Sequence, residues 1–334
     1  MKLFLLITFA LNHLCQSKYN EYFHRAEFVK FQERFSKYYS NVQEMETRFS
    51  IFKTNLIQII SHNADRSQNF TMGVNQFTDL TPQEFKSQYV RGENTIVNLY
   101  GCKSFSSMAY DVPESFDWRT KGVVNPVKDQ GQCGSCWAFA ATANAESVWA
   151  IDSGELLDLS EEFLVDCASG IGYRNQGCNG GNPDSAFKYM INNGQCSEDS
   201  YPYNAGVTKN ASTCQKCSKT QVHFSSCSDV VSKDQVSLKS AVSKQPVVIA
   251  IEADTRYFQS YSGGILDSVT CGTDIDHAVE IVGYGSENGI DYWVVRNSWS
   301  SSWGENGYIR LKRSSSVNDV GVCGLATLPS FLSA

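Results

Sequence analysis

Apolar and polar positions give the chain three textures. From Glu21 to about Asn63 the sequence is polar, carries regularly placed apolar residues and contains no Pro or Gly, a pattern that predicts helix. Within it Glu44, Arg48, Phe52, Asn55, Ile59 and Asn63 recur every three or four residues, which puts all six on one helical face. Gly73 to Asp79 alternates as a strand does, and Thr81 is placed to cap a short helix opening at Pro82. A loosely patterned stretch follows to about Tyr110. Next comes a helical region from about Trp137 to Asn193, led by a long apolar helix from Cys136 to about Ala150. Ser160 is set to cap a second helix whose first turn carries Glu161 and Glu162, favourable for the helix dipole. From Val247 the texture is that of strands: Val247 to Ile251, Ala278 to Val282, Tyr292 to Val295 and Tyr308 to Leu311 are short, β-rich and separated by Gly, Asn and Ser turns. The pattern predicts an α+β protein. A helical segment at 18–110 precedes a mainly helical lobe at about 111–222 and a mainly β lobe at about 223–334, with a cleft between the lobes.

Composition narrows the class. With 334 residues, 42% hydrophobic and 12% aromatic, the chain can bury more than one core, which excludes a disordered protein. A net charge of -7 and the lack of a Lys/Arg stripe exclude a nucleic-acid footprint, so no nucleic-acid partner is expected. Met1-Lys2 and the apolar run Leu3 to Leu11 read as a secretory signal over 1–17, cleaved near Ser17, with small residues at Cys15 and Ser17. That run is shorter than the roughly 20 apolar residues a membrane span needs, so no membrane insertion is expected after signal removal. Entry into an oxidising route makes the 12 cysteines candidates for disulfides. The sequons at Asn69 and Asn210 are candidates for glycosylation.

Candidate chemistry centres on Gln130-Gly-Gln-Cys133-Gly134-Ser135-Cys136-Trp137-Ala-Phe139. A thiol of ordinary pKa, about 8.5, is mostly protonated at neutral pH, yet the thiolate is the nucleophile. Cys136 opens the predicted apolar helix, whose positive end and free N–H groups favour negative charge, so its pKa is expected to fall when a cation joins it. After residue 110 only His223 and His277 can supply that cation. His223 has no motif around it and reads as an ordinary surface or strand residue, whereas His277 starts a predicted strand in the β lobe, across the cleft from the helix.

These segments resemble the papain family of cysteine proteases, and specifically cathepsin L-like precursors. The resemblance rests on the Cys133-Gly-Ser-Cys136-Trp run, on His277 roughly 140 residues beyond Cys136, on Asn297-Ser298-Trp299 followed by Trp303-Gly-Glu-Asn-Gly-Tyr308, and on Cys178-Asn179-Gly180-Gly181. The set Glu44, Arg48, Phe52, Asn55, Ile59 and Asn63, followed by Gly73, Asn75, Phe77 and Asp79, resembles the inhibitory propeptide of those proteases. The resemblance implies a two-lobe papain-like fold, a zymogen, and a secreted or lysosomal endopeptidase without a cofactor or metal. Cys136 would be the nucleophile, His277 the acid/base, Asn297 its orienter under Trp299, and Gln130 an oxyanion donor. Gly134, Ser135, Asn179, Gly180 and Gly181 would line the peptide-binding segment, Gly181 allowing close approach. Leu328 would floor the second substrate pocket, with Ala250, Ile275 and Ala278 as walls; no acid among these implies a hydrophobic substrate residue there.

The partners implied are protein and peptide substrates, the chain's own propeptide, and cystatin-type inhibitors. Acid is expected to release the propeptide by weakening its carboxylate contacts, with Asp79 as a candidate. Setting aside Cys15 and Cys136 leaves an even number of cysteines. The resemblance pairs Cys133 with Cys178, Cys271 with Cys323, and Cys167 with Cys214 or Cys217. Cys102 with Cys227 is the remaining choice, leaving Cys196 for the last partner. Two competing readings are a catalytically silent papain-fold binding protein and a thiol-disulfide oxidoreductase built on Cys133-Gly-Ser-Cys136 and Cys214-Gln-Lys-Cys217.

Overall fold

A computed structural model describes residues 20–90, 102–107, 112–169, 172–217, 220–267 and 271–334. The expected signal segment at 1–17 and much of the loosely patterned stretch before residue 112 lie outside the described residues.

The N-terminal region is two helices where the pattern predicts one: α1 covers 20–35 and α2 Val42–Ala64. The break follows from local chemistry, not from Pro or Gly. Ser36 adopts a φ of 51°, and the Asn41 side chain accepts from Glu44 N, starting a new helix. Strand β1 is Phe70–Met72, and the expected strand over 73–79 is instead a compact turn. The Asn75 carboxamide oxygen accepts from Phe77 N, and Thr78 Oγ1 accepts from Asn75 N, so side chains take the backbone partners a ladder would use. Thr81 caps α3, Pro82–Tyr89, through a full capping box with Glu84.

Beyond this region come the edge strand β2 (Lys103–Phe105) and β3 (Phe116–Asp117), then the helices α4 (Cys136–Ser153), α5 (Glu161–Cys167) and α6 (Pro183–Asn193). Short β4 (Gln195–Cys196), α7 (Ala205–Thr208) and β5 (Thr220–Val222) lead into β6 (Ser226–Val230), α8 (Gln235–Val242), β7 (Val247–Ile251), α9 (Arg256–Gln259) and β8 (Tyr261–Leu266). The long strands β9 (His277–Glu287) and β10 (Ile290–Arg296) precede β11 (Tyr308–Lys312) and β12 (Ser330–Ser333). Ser160 caps α5 by accepting from Phe163 N. The strands at 277–287 and 290–296 run longer than their apolar cores predict because antiparallel β9–β10 pairing carries them through Glu287 to a turn at Asn288-Gly289.

One sheet runs in the order β1-β8-β11-β10-β9-β7-β12-β6-β2, with β3 added on β9. Its core holds Val279, Ile281, Trp293, Trp299 and Trp303, and also Phe77 and Phe85 from the N-terminal segment. A second core surrounds α4, which is mostly apolar and almost wholly buried. A third, small core of Phe28, Phe31, Phe49, Phe52 and Leu56 joins α1 to α2. α4 packs against β9, and the Cys136 sulfur at the head of α4 lies beside the Ala278 N–H, one residue from His277 at the head of β9.

Candidate active site

The loop before α4 is held rigidly. Cys133 is bonded to Cys178, Gly134 N donates to Cys178 O at 2.9 Å, Gln132 N donates to Gly206 O at 3.1 Å, and Tyr203 Oη donates to Gln130 O at 2.8 Å. Ser135 makes no side-chain cap for α4; its hydroxyl meets Tyr203 Oη at 2.8 Å instead. The first N–H groups of α4 are therefore left for the sulfur of Cys136. That sulfur lies beside the backbone N–H groups of Ala278, Trp137 and Cys136 itself. Cys136 is the one free cysteine among the described residues and is 3% exposed.

His277, the first residue of β9, is fully buried. Its Nε2 meets Asn297 Oδ1 at 2.8 Å, and the Trp299 ring stacks on it at 4.7 Å between centroids. With Nε2 engaged, Nδ1 makes no protein hydrogen bond and is the nitrogen left for proton transfer. Gln130 is oriented by Ser298, whose hydroxyl donates to Gln130 Oε1 at 2.6 Å, while Gln130 Nε2 donates to Cys133 O at 2.9 Å.

The pair's electrostatics run opposite to the expected lowered thiol pKa. Burial pushes the Cys136 thiol up to about 11, against the pull of the neighbouring N–H groups. Burial also pulls His277 down to about 4, with the Asn297 hydrogen bond opposing. In this covered state both groups are neutral, because desolvation outweighs the helix N-terminus.

The cover is the N-terminal segment. Phe77 and Phe85 pack edge-on against Trp299 at 5.4 and 5.2 Å, Gln76 Nε2 donates to Trp299 O at 2.7 Å, and Gln259 Nε2 donates to Phe77 O at 3.0 Å. β1 pairs antiparallel with β8, extending the sheet. Tyr89 O accepts from Gln130 Nε2 at 3.1 Å. Lys86 reaches Asp254 at 2.7 Å. The helical face expected on α2 is turned inward: Asn55 donates to the carbonyls of Thr78 and Leu80, Asn63 to that of Met72, and Arg48 pairs with Glu84 at 2.9 Å. Asp79, the candidate acid-sensitive contact, accepts from Lys37 Nζ and Tyr39 Oη within the segment itself.

Other candidate residues fall as follows. Gly134 and Asn179 form a parallel bridge. Gly180 has a φ of 108°. A Cβ on Gly181 would meet the Trp137 ring at 2.7 Å and Asn175 Oδ1 at 2.6 Å, so internal packing already requires a glycine here. Ala250 and Ala278 are direct cross-strand partners, and Ile275 lies beside Gly324. Leu328 lines a different space, a cavity shared with Asp184, Asp229, Ser104 and Cys102, so acids do lie near it, unlike the expectation. Burial and the Asp229 carboxylate push Asp184 up to about 6. Asn69 donates to Asp267 at 2.6 Å, and exposed Asn210 donates to Thr208 O at 3.1 Å; a glycan on Asn69 would displace the first bond. His223 is exposed.

The disulfides are Cys102–Cys227, Cys133–Cys178, Cys167–Cys214, Cys196–Cys217 and Cys271–Cys323. Neither Cys-x-x-Cys motif closes on itself, which removes the local dithiol a thiol-disulfide oxidoreductase needs. Three features escape sequence reasoning: the Ser298 contact to Gln130, the Tyr89 carbonyl on the same amide, and a buried charge cluster behind the site. In that cluster Lys128 bonds Glu146 and Glu161 at 3.0 and 2.9 Å, and Arg296 lies 3.8 and 3.7 Å from Glu146 and Glu280. Only Ser298, next to Asn297 in the Asn-Ser-Trp run, carried a signal.

The description "Papain family cysteine protease" matches residues 112–332, and "Cathepsin propeptide inhibitor domain (I29)" matches residues 28–85. The Arabidopsis thaliana "Probable cysteine protease RD21C" is 45% identical over 298 residues, covering 88% of this chain; the chain spans 65% of that protein's length. "Cysteine protease XCP2" of the same plant is 42% identical over 309 residues, covering 91% of this chain and 85% of that protein. Digestive procathepsin L 3 of Tenebrio molitor larval midgut superposes with a TM-score of 0.83 at 39% identity, over 93% of this chain and 99% of that one. The fold is accordingly mixed α+β with an N-terminal helical propeptide region.

Proposed function

Because this chain belongs to the papain family of cysteine proteases and carries a cathepsin-type propeptide inhibitor domain, we propose that it is a zymogen of an endopeptidase acting through Cys136 and His277. The observation that carries this reading is the meeting of the free thiol at the start of α4 with the start of β9, where His277 is held by Asn297. Once the propeptide leaves, water and the exposed cleft restore the conditions for a thiolate beside an imidazolium.

The thiolate of Cys136 attacks the substrate carbonyl carbon. The oxyanion is taken by the Gln130 side-chain amide and the Cys136 N–H. His277 gives its proton to the leaving amine as the tetrahedral intermediate collapses to a thioester. Water, deprotonated by His277, then attacks the thioester and releases the acid, and the proton returns to the Cys136–His277 pair. Asn297 fixes the ring and Trp299 shields its hydrogen bond from water.

The buried Ala250–Ala278 pair supports preference for an apolar substrate residue in the second pocket. The secretory reading of the N-terminus and the five disulfides support action in a secretory compartment, an acidic vacuole or outside the cell. Cystatin-type proteins are proposed inhibitors of the opened cleft. The test is acid activation of the full chain followed by cleavage of an internally quenched peptide. Activity abolished in Cys136→Ala supports the reading, whereas a Cys136→Ala enzyme as active as the parent overturns it.

A further inference from the structure

The chain ahead of the peptidase supplies both outer strands of the large sheet, and it attaches them in different ways. At one end β1 pairs with β8 with no covalent tie. At the other end β2 pairs in parallel with β6, Lys103 to Ser228, Ser104 to Asp229 and Phe105 to Val230. There Cys102 is bonded to Cys227.

Among the described residues, 102–107 make their contacts with the peptidase. Val231 N donates to Phe105 O at 3.1 Å, and Ser107 N donates to Ser237 Oγ at 3.1 Å. The Phe105 ring stands 5.4 Å from Phe331, with the Lys244 ammonium 5.2 Å above it. The turn and helix that cover the active site make their own contacts elsewhere, through Phe77, Phe85 and Lys86.

We propose that residues 102–107 outlast removal of the inhibitory segment and stay on the mature peptidase as its edge strand, where they wall the cavity behind Leu328. A peptide-bond cut on either side of 102–107 leaves them held by the Cys102–Cys227 bond, which an oxidising compartment does not reduce. Losing the strand would strip the ladder partners from β6 and open an edge. It would also remove Cys102 and Ser104 from a cavity of about 350 Å³ whose other lining includes Leu328, Asp184, Asp229 and Thr327. The strand thus bears on specificity through Leu328, which borders this cavity and is the proposed floor of the second substrate pocket; this rests on the peptidase reading above.

The test uses the full-length zymogen trimmed at acid pH by added pepsin, so that processing does not depend on the chain's own activity. Intact masses are compared before and after reduction. The expected result is a non-reduced mature species whose mass includes residues 102–107, as an N-terminal extension or as a peptide lost on reduction. A mature species starting after residue 107 with nothing bound to Cys227 overturns the proposal. In a second arm, Cys102→Ser/Cys227→Ser is activated and profiled against peptides varied at the residue before the cleaved one. A roughly threefold or larger change in that preference is expected from altering a pocket wall; an unchanged profile with the strand absent overturns the wall role. Peptide hydrolysis in the wild-type sample reports separately on the peptidase reading.

Discussion

The side-chain amide of Gln130 lies 3.1 Å from the carbonyl oxygen of Tyr89, so the group proposed to receive a substrate oxyanion already holds a peptide carbonyl of the chain's own propeptide. Val90 and the docked aromatic residues Phe77 and Phe85 are buried in the sheet core beside it.

Gln130→Ala is expected to lower kcat of the activated enzyme by about 10²- to 10³-fold, the typical cost of one oxyanion donor, with KM changed far less. Steady-state kinetics on one peptide decide it. A loss confined to KM would show that Gln130 binds substrate without stabilising the transition state.

Phe77 fills the space against Trp299, Phe85 and Tyr89. Phe77→Ala is expected to cost about 3–5 kcal/mol of packing, felt mainly as weaker docking of the propeptide. The full-length variant should show peptidase activity without acid treatment, where the parent shows none. A variant that stays silent while matching the parent in thermal stability would remove Phe77 from the inhibitory grip.

The neutral pair in the covered site predicts poor thiol chemistry before activation. With Cys136 pushed up to about 11 by burial, the thiolate fraction at neutral pH is on the order of 10⁻⁴. Alkylation by iodoacetamide, followed by mass, should be at least about 100-fold slower in the zymogen than in the activated enzyme. Equal rates would mean that the propeptide does not control the thiol.

The propeptide and the peptidase respond to pH with opposite sign. Glu21 is held below its ordinary value by the Lys53 hydrogen bond, and Glu84, against the upward push of burial, by the Thr81 N–H and hydroxyl and by Arg48. Such depressed carboxyls contribute stability above an unfolded pKa of about 4.5 that is lost as pH falls through their folded values. Burial instead pushes Glu280 up to about 8, and Glu161 upward against Lys128. Their contribution is full below about pH 4.5 and is lost as pH climbs toward the folded value. Acid therefore loosens the inhibitor while it steadies the enzyme. Glu84→Gln, which imitates the protonated side chain, should move the midpoint of activation upward by about half a pH unit. The activated enzyme should melt at a higher temperature near pH 5 than near pH 8. An unmoved midpoint, or a melting temperature that rises with pH, would contradict this account.

Local pattern and composition by themselves determined the helical character of 21–63, though not its division in two, the helix opening at Cys136, the caps at Thr81 and Ser160, the strand opening at His277 and the number of cysteines free to pair. These features depend on periodicity, cap chemistry and counting, which a linear chain displays. The Tyr89 carbonyl on Gln130 and the neutral state of Cys136 and His277 were decided only by tertiary structure. Each depends on which groups lose water together and which distant partners they find. The same holds for Cys102: parity allowed it a partner, but only the pairing of β2 with β6 assigns its segment to the peptidase sheet.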